Sequence, residues 1–204
     1  MNGYQRAGPR RILTVDRVVG VMGFHTFDPA RADQLEDPTR YAYLSVDELL
    51  ALFDPGPDDV VADLGSGTGF YTDDVAAAAG AVYAVDVQPE MHELYREKGL
   101  PGNVTPVTAT VESLPIDEPL DAVVSTMTFH EFATPAAMDA IADALAPGGR
   151  VALADWTRAG AGDAGPPLEE RYAADEAVEL CAAAGITVRR AEDRRETFVL
   201  EGRL

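Results

Sequence analysis

The chemistry of this chain is concentrated in Asp63-Leu64-Gly65-Ser66-Gly67-Thr68-Gly69-Phe70, a carboxylate followed by three alternating glycines. Glycines at alternate positions let a strand turn sharply into a helix and bring backbone, not side chains, against a ligand. Asp86 follows about 20 residues later, where an acid ending a second strand can accept both hydroxyls of a ribose. The candidate ligand set is Asp63, Gly65, Ser66, Gly67 and Gly69, with Asp86 and its neighbour Val87. It is a set for holding a nucleoside-bearing cofactor.

Two cofactor classes compete for that geometry. A dinucleotide calls for Gly-x-Gly-x-x-Gly and places its phosphates at a helix N-terminus, but position 70 is Phe and Asp63 adds negative charge at the loop. S-adenosylmethionine has no phosphate and carries a sulfonium and an ammonium, which suit an acidic loop with Asp73 and Asp74 close behind it. S-adenosylmethionine is the better match.

Positioning these groups takes alternating strands and helices. Strands are expected near 59–64, 81–86, 104–108, 120–126 and 150–155, with helices near 70–79, 89–98 and 135–145. Pro89 and Pro135 sit where first-turn prolines belong, and Pro147-Gly148-Gly149 ends the third of these helices. A helix near 174–184 and short strands at 186–190 and 197–200 complete the pattern. The fold class is α/β: a Rossmann-like, seven-stranded, mostly parallel sheet with helices on both faces and an antiparallel last strand. Residues 22–204 read as one domain. Residues 1–21, basic where the remainder is acidic, read as a flexible N-terminal extension. Within the domain, 22–55 is a helical or lid segment: Ser45 and Glu48 form a capping box opening a helix to Phe53, and Phe24, His25, Phe27 and Tyr41 offer cover for the cofactor.

These motifs resemble, over about residues 40–200, the class I methyltransferases, and specifically the small-molecule enzymes similar to the ubiquinone and menaquinone C-methyltransferases. Asp63 to Gly69 looks like the family's first motif, Asp86 like its ribose-binding acid, and Leu145-Ala146-Pro147-Gly148-Gly149-Arg150 like its Leu-x-Pro-Gly-Gly-x turn. The resemblance implies an S-adenosylmethionine-dependent methyltransferase acting on a small molecule, with Val111 and Glu112 at the adenine and Thr126 completing the cofactor set. The family often has an acid two residues before that Glu, where this chain has Thr110. A non-catalytic cofactor-binding module and a protein methyltransferase are the alternatives.

The segment Ser125 to Phe132 follows the fourth strand, so it should face the transferable methyl. His130 is the candidate base, needed only for an acceptor that must lose a proton, with Glu131 or another acid to orient it. Phe129, Trp156, Arg171 and Tyr172 are the candidate acceptor contacts. Ser125 and Thr126 stand where catechol-type enzymes place a metal-binding acid, so no metal is expected.

Composition narrows the partners. Thirty-five acids against 16 bases give a net charge of −19. Such a surface, resembling those of proteins from high-salt cytoplasm, repels phosphate backbones and argues against nucleic-acid substrates. The absence of an apolar run of about 20 residues argues against a membrane span and for a cytoplasmic protein, monomeric or homodimeric. Cys181 stands alone, so it forms no intrachain disulfide and reads as a core residue.

Overall fold

The computed structural model describes residues 26–204. The expected extension at 1–21, together with Phe24 and His25 of the expected lid, lies outside the described residues.

Val60–Leu64 (β1) enters the loop, and Phe70–Ala78 (α2) leaves it. Before them stand two 3-10 helices, Pro29–Glu36 and Pro38–Ala42, and then Val46–Phe53 (α1), whose first turn is capped as expected by Ser45 Oγ accepting from the Glu48 N–H. The chain continues through Ala81–Asp86 (β2), Pro89–Lys98 (α3), Val104–Thr108 (β3), Leu120–Thr126 (β4), the single turn Phe129–Phe132 (α4) and Pro135–Ala144 (α5). Leu145–Trp156 (β5), Ala174–Ala183 (α6), Thr187–Asp193 (β6) and Thr197–Arg203 (β7) complete it.

The seven strands form one sheet in the order β3-β2-β1-β4-β5-β7-β6. The first five pair in parallel, and β7 runs antiparallel to both neighbours. Successive side chains alternate faces. Val61, Val124, Ala152 and Val199 pack with α1, α2 and α3, whereas Ala62, Val123, Leu153 and Leu200 pack with α5 and α6. The four strands β1, β4, β5 and β7 are thus apolar on both sides, as a covered sheet requires, whereas the edge strand β6 is mostly exposed.

Two boundaries differ from expectation. The fifth strand begins at Leu145 instead of near 150, because Leu145 pairs with Leu120 before a register shift carries the chain around Pro147-Gly148-Gly149. The last two strands run on to Asp193 and Arg203. No helix among the described residues is long and apolar enough to cross a membrane.

Candidate functional site: a cofactor cavity at the carboxyl edge of the sheet

The order β2-β1-β4 puts the carboxyl ends of three parallel strands side by side, and the site lies there. Gly65 has φ +76°, and a Cβ on it would sit 2.2 Å from Thr128 Cγ2. Gly69 opens α2 at φ +84°, where a Cβ would sit 2.1 Å from the Tyr95 ring. Neither position has room for a side chain. The Gly65 and Ser66 N–H groups donate to the Val85 carbonyl at 2.8 and 3.0 Å, tying the turn to β2. From the other side, Thr128 Oγ1 donates to the Gly65 carbonyl and Ser125 Oγ to that of Leu64.

Backbone N–H groups hold Asp86, and a threonine hydroxyl holds Asp63. Asp86 accepts from Gly67 N–H at 2.8 Å and from Gln88 N–H at 2.9 Å, and burial raises its pKa despite those bonds. Asp63, 1% exposed, accepts from Thr72 Oγ1 at 2.6 Å through one oxygen while the other has no partner. Burial pushes its pKa up to about 6. Ser66 Oγ is likewise buried without a partner. Among buried polar groups such vacancies are the exception and point to a ligand.

A cavity open to solvent rises over this floor. Gly65, Ser66, Gly67, Asp86, Val87, Val111 and Thr126 of the sequence-derived set line it. Asp63 lies beneath the loop, and Gly69 is closed off behind it by Tyr95. Glu112 is not in the lining; its carboxylate faces Thr134 Oγ1 at 3.4 Å, on the α5 side. Thr110, where the family often has an acid, does line the cavity.

Phe27, expected as cover, lines the cavity from just ahead of the 3-10 helices, and Met127, Thr128, Glu131 and Phe132 line it from the stretch expected to face the methyl. Sequence reasoning does not single out Leu35 and Arg40 of the roofing 3-10 helices, or Gln88 and Met91 after β2, which complete the lining. The roof is fastened at several points. Glu36 accepts from Thr68 Oγ1 and pairs with Lys98 at 3.2 Å, Lys98 pairs with Asp73 of α2 at 2.9 Å, Tyr41 donates to Asp74 at 2.8 Å, and Gln88 Nε2 donates to the Phe27 carbonyl at 3.1 Å. Met127 adopts φ 60°, a left-handed conformation that a non-glycine residue takes at a cost, at the point where β4 meets the cavity.

His130 and the four expected acceptor contacts occupy a second layer. His130 Nδ1 lies 2.9 Å from Asp155 Oδ2, and its backbone N–H donates to the same oxygen at 2.6 Å. Burial opposes protonation of the ring, but the charge and hydrogen bond of Asp155 outweigh it and the pKa is raised. Glu131 lines the cavity one residue on, its carboxyl raised to about 7 by burial. Phe129, expected at the acceptor wall, is fully buried among Phe132, Tyr172 and Phe198. Tyr172 packs on it and reaches the Ala133 carbonyl at 3.4 Å. Arg171 is 1% exposed, donating to the carbonyls of Pro166, Thr157 and Ala164 and lying 3.6 Å from Glu196. Trp156 meets Tyr43 edge to face and lies under the Arg171 guanidinium. These residues brace the loop after β5. None of the four lines the cavity.

The site's chemistry fits S-adenosylmethionine. Asp63, beneath the loop with an unpartnered oxygen, suits its cations; Asp86 at the β2 end suits a ribose; and Val87, Val111 and Phe132 offer apolar surface for a base. Among the described residues no group of three or more His, Cys, Asp or Glu is arranged to hold a metal ion.

Comparison with known proteins agrees. Residues 61–149 match the family model described as a methyltransferase domain. Uncharacterized methyltransferases of Mycobacterium tuberculosis and Mycobacterium bovis are 37% identical over 99 residues, 48% of this chain, and the match spans 40% of their own length. An S-adenosylmethionine-dependent methyltransferase from Aquifex aeolicus superposes with a TM-score of 0.79 at 29% identity, over 87% of this chain and 99% of that one. The N-methyltransferase NodS from Bradyrhizobium japonicum, solved with S-adenosyl-L-homocysteine, shares the fold with a TM-score of 0.66 at 16% identity, over 88% of this chain and 93% of its own. Residues 61–149 thus carry a methyltransferase domain, on a fold shared with S-adenosylmethionine-dependent methyltransferases.

Proposed function

We propose that this chain transfers a methyl group from S-adenosylmethionine to a small-molecule acceptor. The observation that carries the reading is the continuity of one cavity from the cofactor floor at Gly65 to Asp86 into the wall Met127 to Phe132 after β4. When bound, S-adenosylmethionine supplies a methyl already activated on a sulfonium, so the protein's task is alignment and exclusion of water.

In this reading Asp86 holds the ribose, Asp63 the ammonium, Val87 and Val111 the adenine faces, and Thr126 the wall beside the loop. Phe27, Leu35 and Arg40 close the cavity from above. His130 takes the proton of an acceptor that must lose one. Asp155 holds its Nδ1, which leaves Nε2 as the basic end of the ring. Trp156, Phe129, Arg171 and Tyr172 shape the acceptor side from behind. The charge of −19 supports a small or weakly charged acceptor over a nucleic acid.

Calorimetry with S-adenosylhomocysteine and with NAD, followed by an acceptor screen with methyl-labelled cofactor and mass spectrometry, tests the proposal. Labelled small molecules are expected. Tight homocysteine-cofactor binding with label in no fraction would favour the binding module, label in protein would favour the protein methyltransferase, and preference for NAD would defeat the cofactor reading.

A further inference from the structure

Three charged side chains line the cavity among the described residues: Arg40, Asp86 and Glu131. Two of them are engaged. Arg40 donates to the Leu35 carbonyl at 2.6 Å and lies over the Phe70 and Tyr71 rings, and Asp86 accepts from the N–H groups of Gly67 and Gln88. Glu131 differs: among the described residues no group donates to its carboxylate, and it forms no ion pair. The sequence leaves open which acid orients His130; Asp155 does so, and Glu131 faces the cavity instead. The turn that carries it is anchored by its other groups. Phe129 is fully buried, the His130 N–H donates to Asp155 at 2.6 Å, and the N–H of Glu131 itself donates to the Thr128 carbonyl at 2.9 Å. The carboxylate is thus presented from fixed backbone.

Charge around Glu131 does not balance. It feels His130, Asp86 and Asp155, whereas the charge of Arg40 is coupled to Glu36 and Asp63. Even a protonated His130 carries a single positive charge, already paired with Asp155, so the wall after β4 keeps a negative one. Burial raises the Glu131 carboxyl to about 7, as it does for a carboxylate whose partners do not repay its removal from water. An ionised carboxylate only accepts, so a matching ligand must donate, and a cationic nitrogen binds it about twice as strongly as a neutral donor. Met127 and Phe132, also in the lining, offer apolar surface for the carbon skeleton of such a ligand.

We propose that Glu131 holds the ammonium of the methyl acceptor, so that the acceptors of this chain are small molecules bearing a basic nitrogen. The inference rests on the small-molecule reading above and names a substrate class within it. Glu131 becomes the group that touches the acceptor and sets its specificity, while His130 stands one layer behind. An acceptor that presents a carbonyl to a protonated Glu131 is the competing ligand. Glu131→Gln, which keeps a donor and removes the charge, tells the two apart.

The test uses the full chain saturated with S-adenosylhomocysteine and three ring-matched probes, benzylamine, benzaldehyde and benzoate, titrated by ligand-observed nuclear magnetic resonance at pH 8. There Glu131 is ionised and an alkylamine is still protonated. Benzylamine should bind the wild type at least about 10-fold more tightly than either other probe, and Glu131→Gln should weaken it by about 10- to 100-fold. Glu131→Asp, which keeps the charge, should fall between. Affinity for S-adenosylhomocysteine should change by less than about 3-fold in both variants. The wild-type comparison of probes needs no variant to fold. Preference for benzoate, preference for benzaldehyde, or binding of none of the three to the loaded chain would each overturn the proposal. So would benzylamine affinity that survives Glu131→Gln, or equal loss of amine and S-adenosylhomocysteine, which would assign Glu131 to the cofactor. Failure of the wild type to bind S-adenosylhomocysteine at all would instead remove the methyl-transfer reading, and this inference with it.

Discussion

Asp155 accepts from His130 twice, once from the backbone N–H at 2.6 Å and once from ring Nδ1 at 2.9 Å, while itself fully buried at the end of β5. One carboxylate thus fixes the position, the orientation and the tautomer of the ring. It also accepts from the Trp156 N–H at 2.8 Å, so its own orientation is set by the strand.

If His130 removes a proton from the acceptor, turnover should rise with pH through a value above its ordinary 6.5, since Asp155 raises the ring's pKa and the base is the deprotonated form. Asp155→Asn should move that limb to lower pH and slow transfer by about 10- to 100-fold. His130→Ala should remove the limb. Rates under single-turnover conditions from pH 5.5 to 9 check this, and an unchanged profile in both variants would take His130 out of the mechanism.

Asp63 sets ligand affinity against stability. Burial holds its carboxyl at about 6, above the 3.8 of a free side chain. The folded chain therefore keeps a proton the unfolded chain releases, so this group stabilises the fold below 3.8 and loses that contribution as pH rises to about 6. An ammonium needs the ionised form, so S-adenosylhomocysteine affinity should fall as pH drops below about 6. Asp63→Asn should melt at or above the wild-type temperature at pH 7.5 and bind at least about 10-fold more weakly. Simultaneous melting curves and titrations decide it.

Gly65→Ala should be among the most damaging single-methyl additions. It combines a left-handed φ of +76° with a Cβ only 2.2 Å from Thr128 Cγ2. A loss of about 2–4 kcal/mol in urea unfolding is expected, together with loss of cofactor binding. A partial rescue by Thr128→Gly, which removes the Cβ at 2.5 Å as well as the Cγ2 and leaves the φ penalty, would separate the two causes.

Cys181 is fully buried and its thiol is pushed up to about 12 by desolvation. It should resist alkylation in the native state and react promptly once denaturant opens the fold, making pulse alkylation a direct measure of unfolding. Rapid native labelling would mean that α6 opens locally off the sheet.

The sheet was legible in the sequence because each strand carries its own apolar run and punctuation: Val60-Val61-Ala62 before the loop, Pro89 and Pro135 at helix starts, Gly185 at φ +82° after α6. The floor was legible for the same reason, since Gly65 to Gly69 and Asp86 report backbone demands that act locally. The roof was less so. Leu35 and Arg40 sit in short 3-10 turns opened by prolines, without a long apolar stripe, and reach the cavity through contacts across 30 or so positions that no local pattern records. Arg171 misled in the opposite sense. An arginine in a Gly- and Pro-rich loop suggests a ligand hook, but the same loop's carbonyls at Thr157, Ala164 and Pro166 surround it. Irregular backbone needs donors, and an interior guanidinium provides them.

Lys98 joins the 3-10 roof to the floor helix through Glu36 and Asp73, and it is the only lysine in the chain. Amine-directed chemistry consequently has one side-chain target here, located at the fastening of the roof. A fluorophore or spin label placed on it would sit beside the two ion pairs that tie the roof to the floor helix, without any engineering of the sequence.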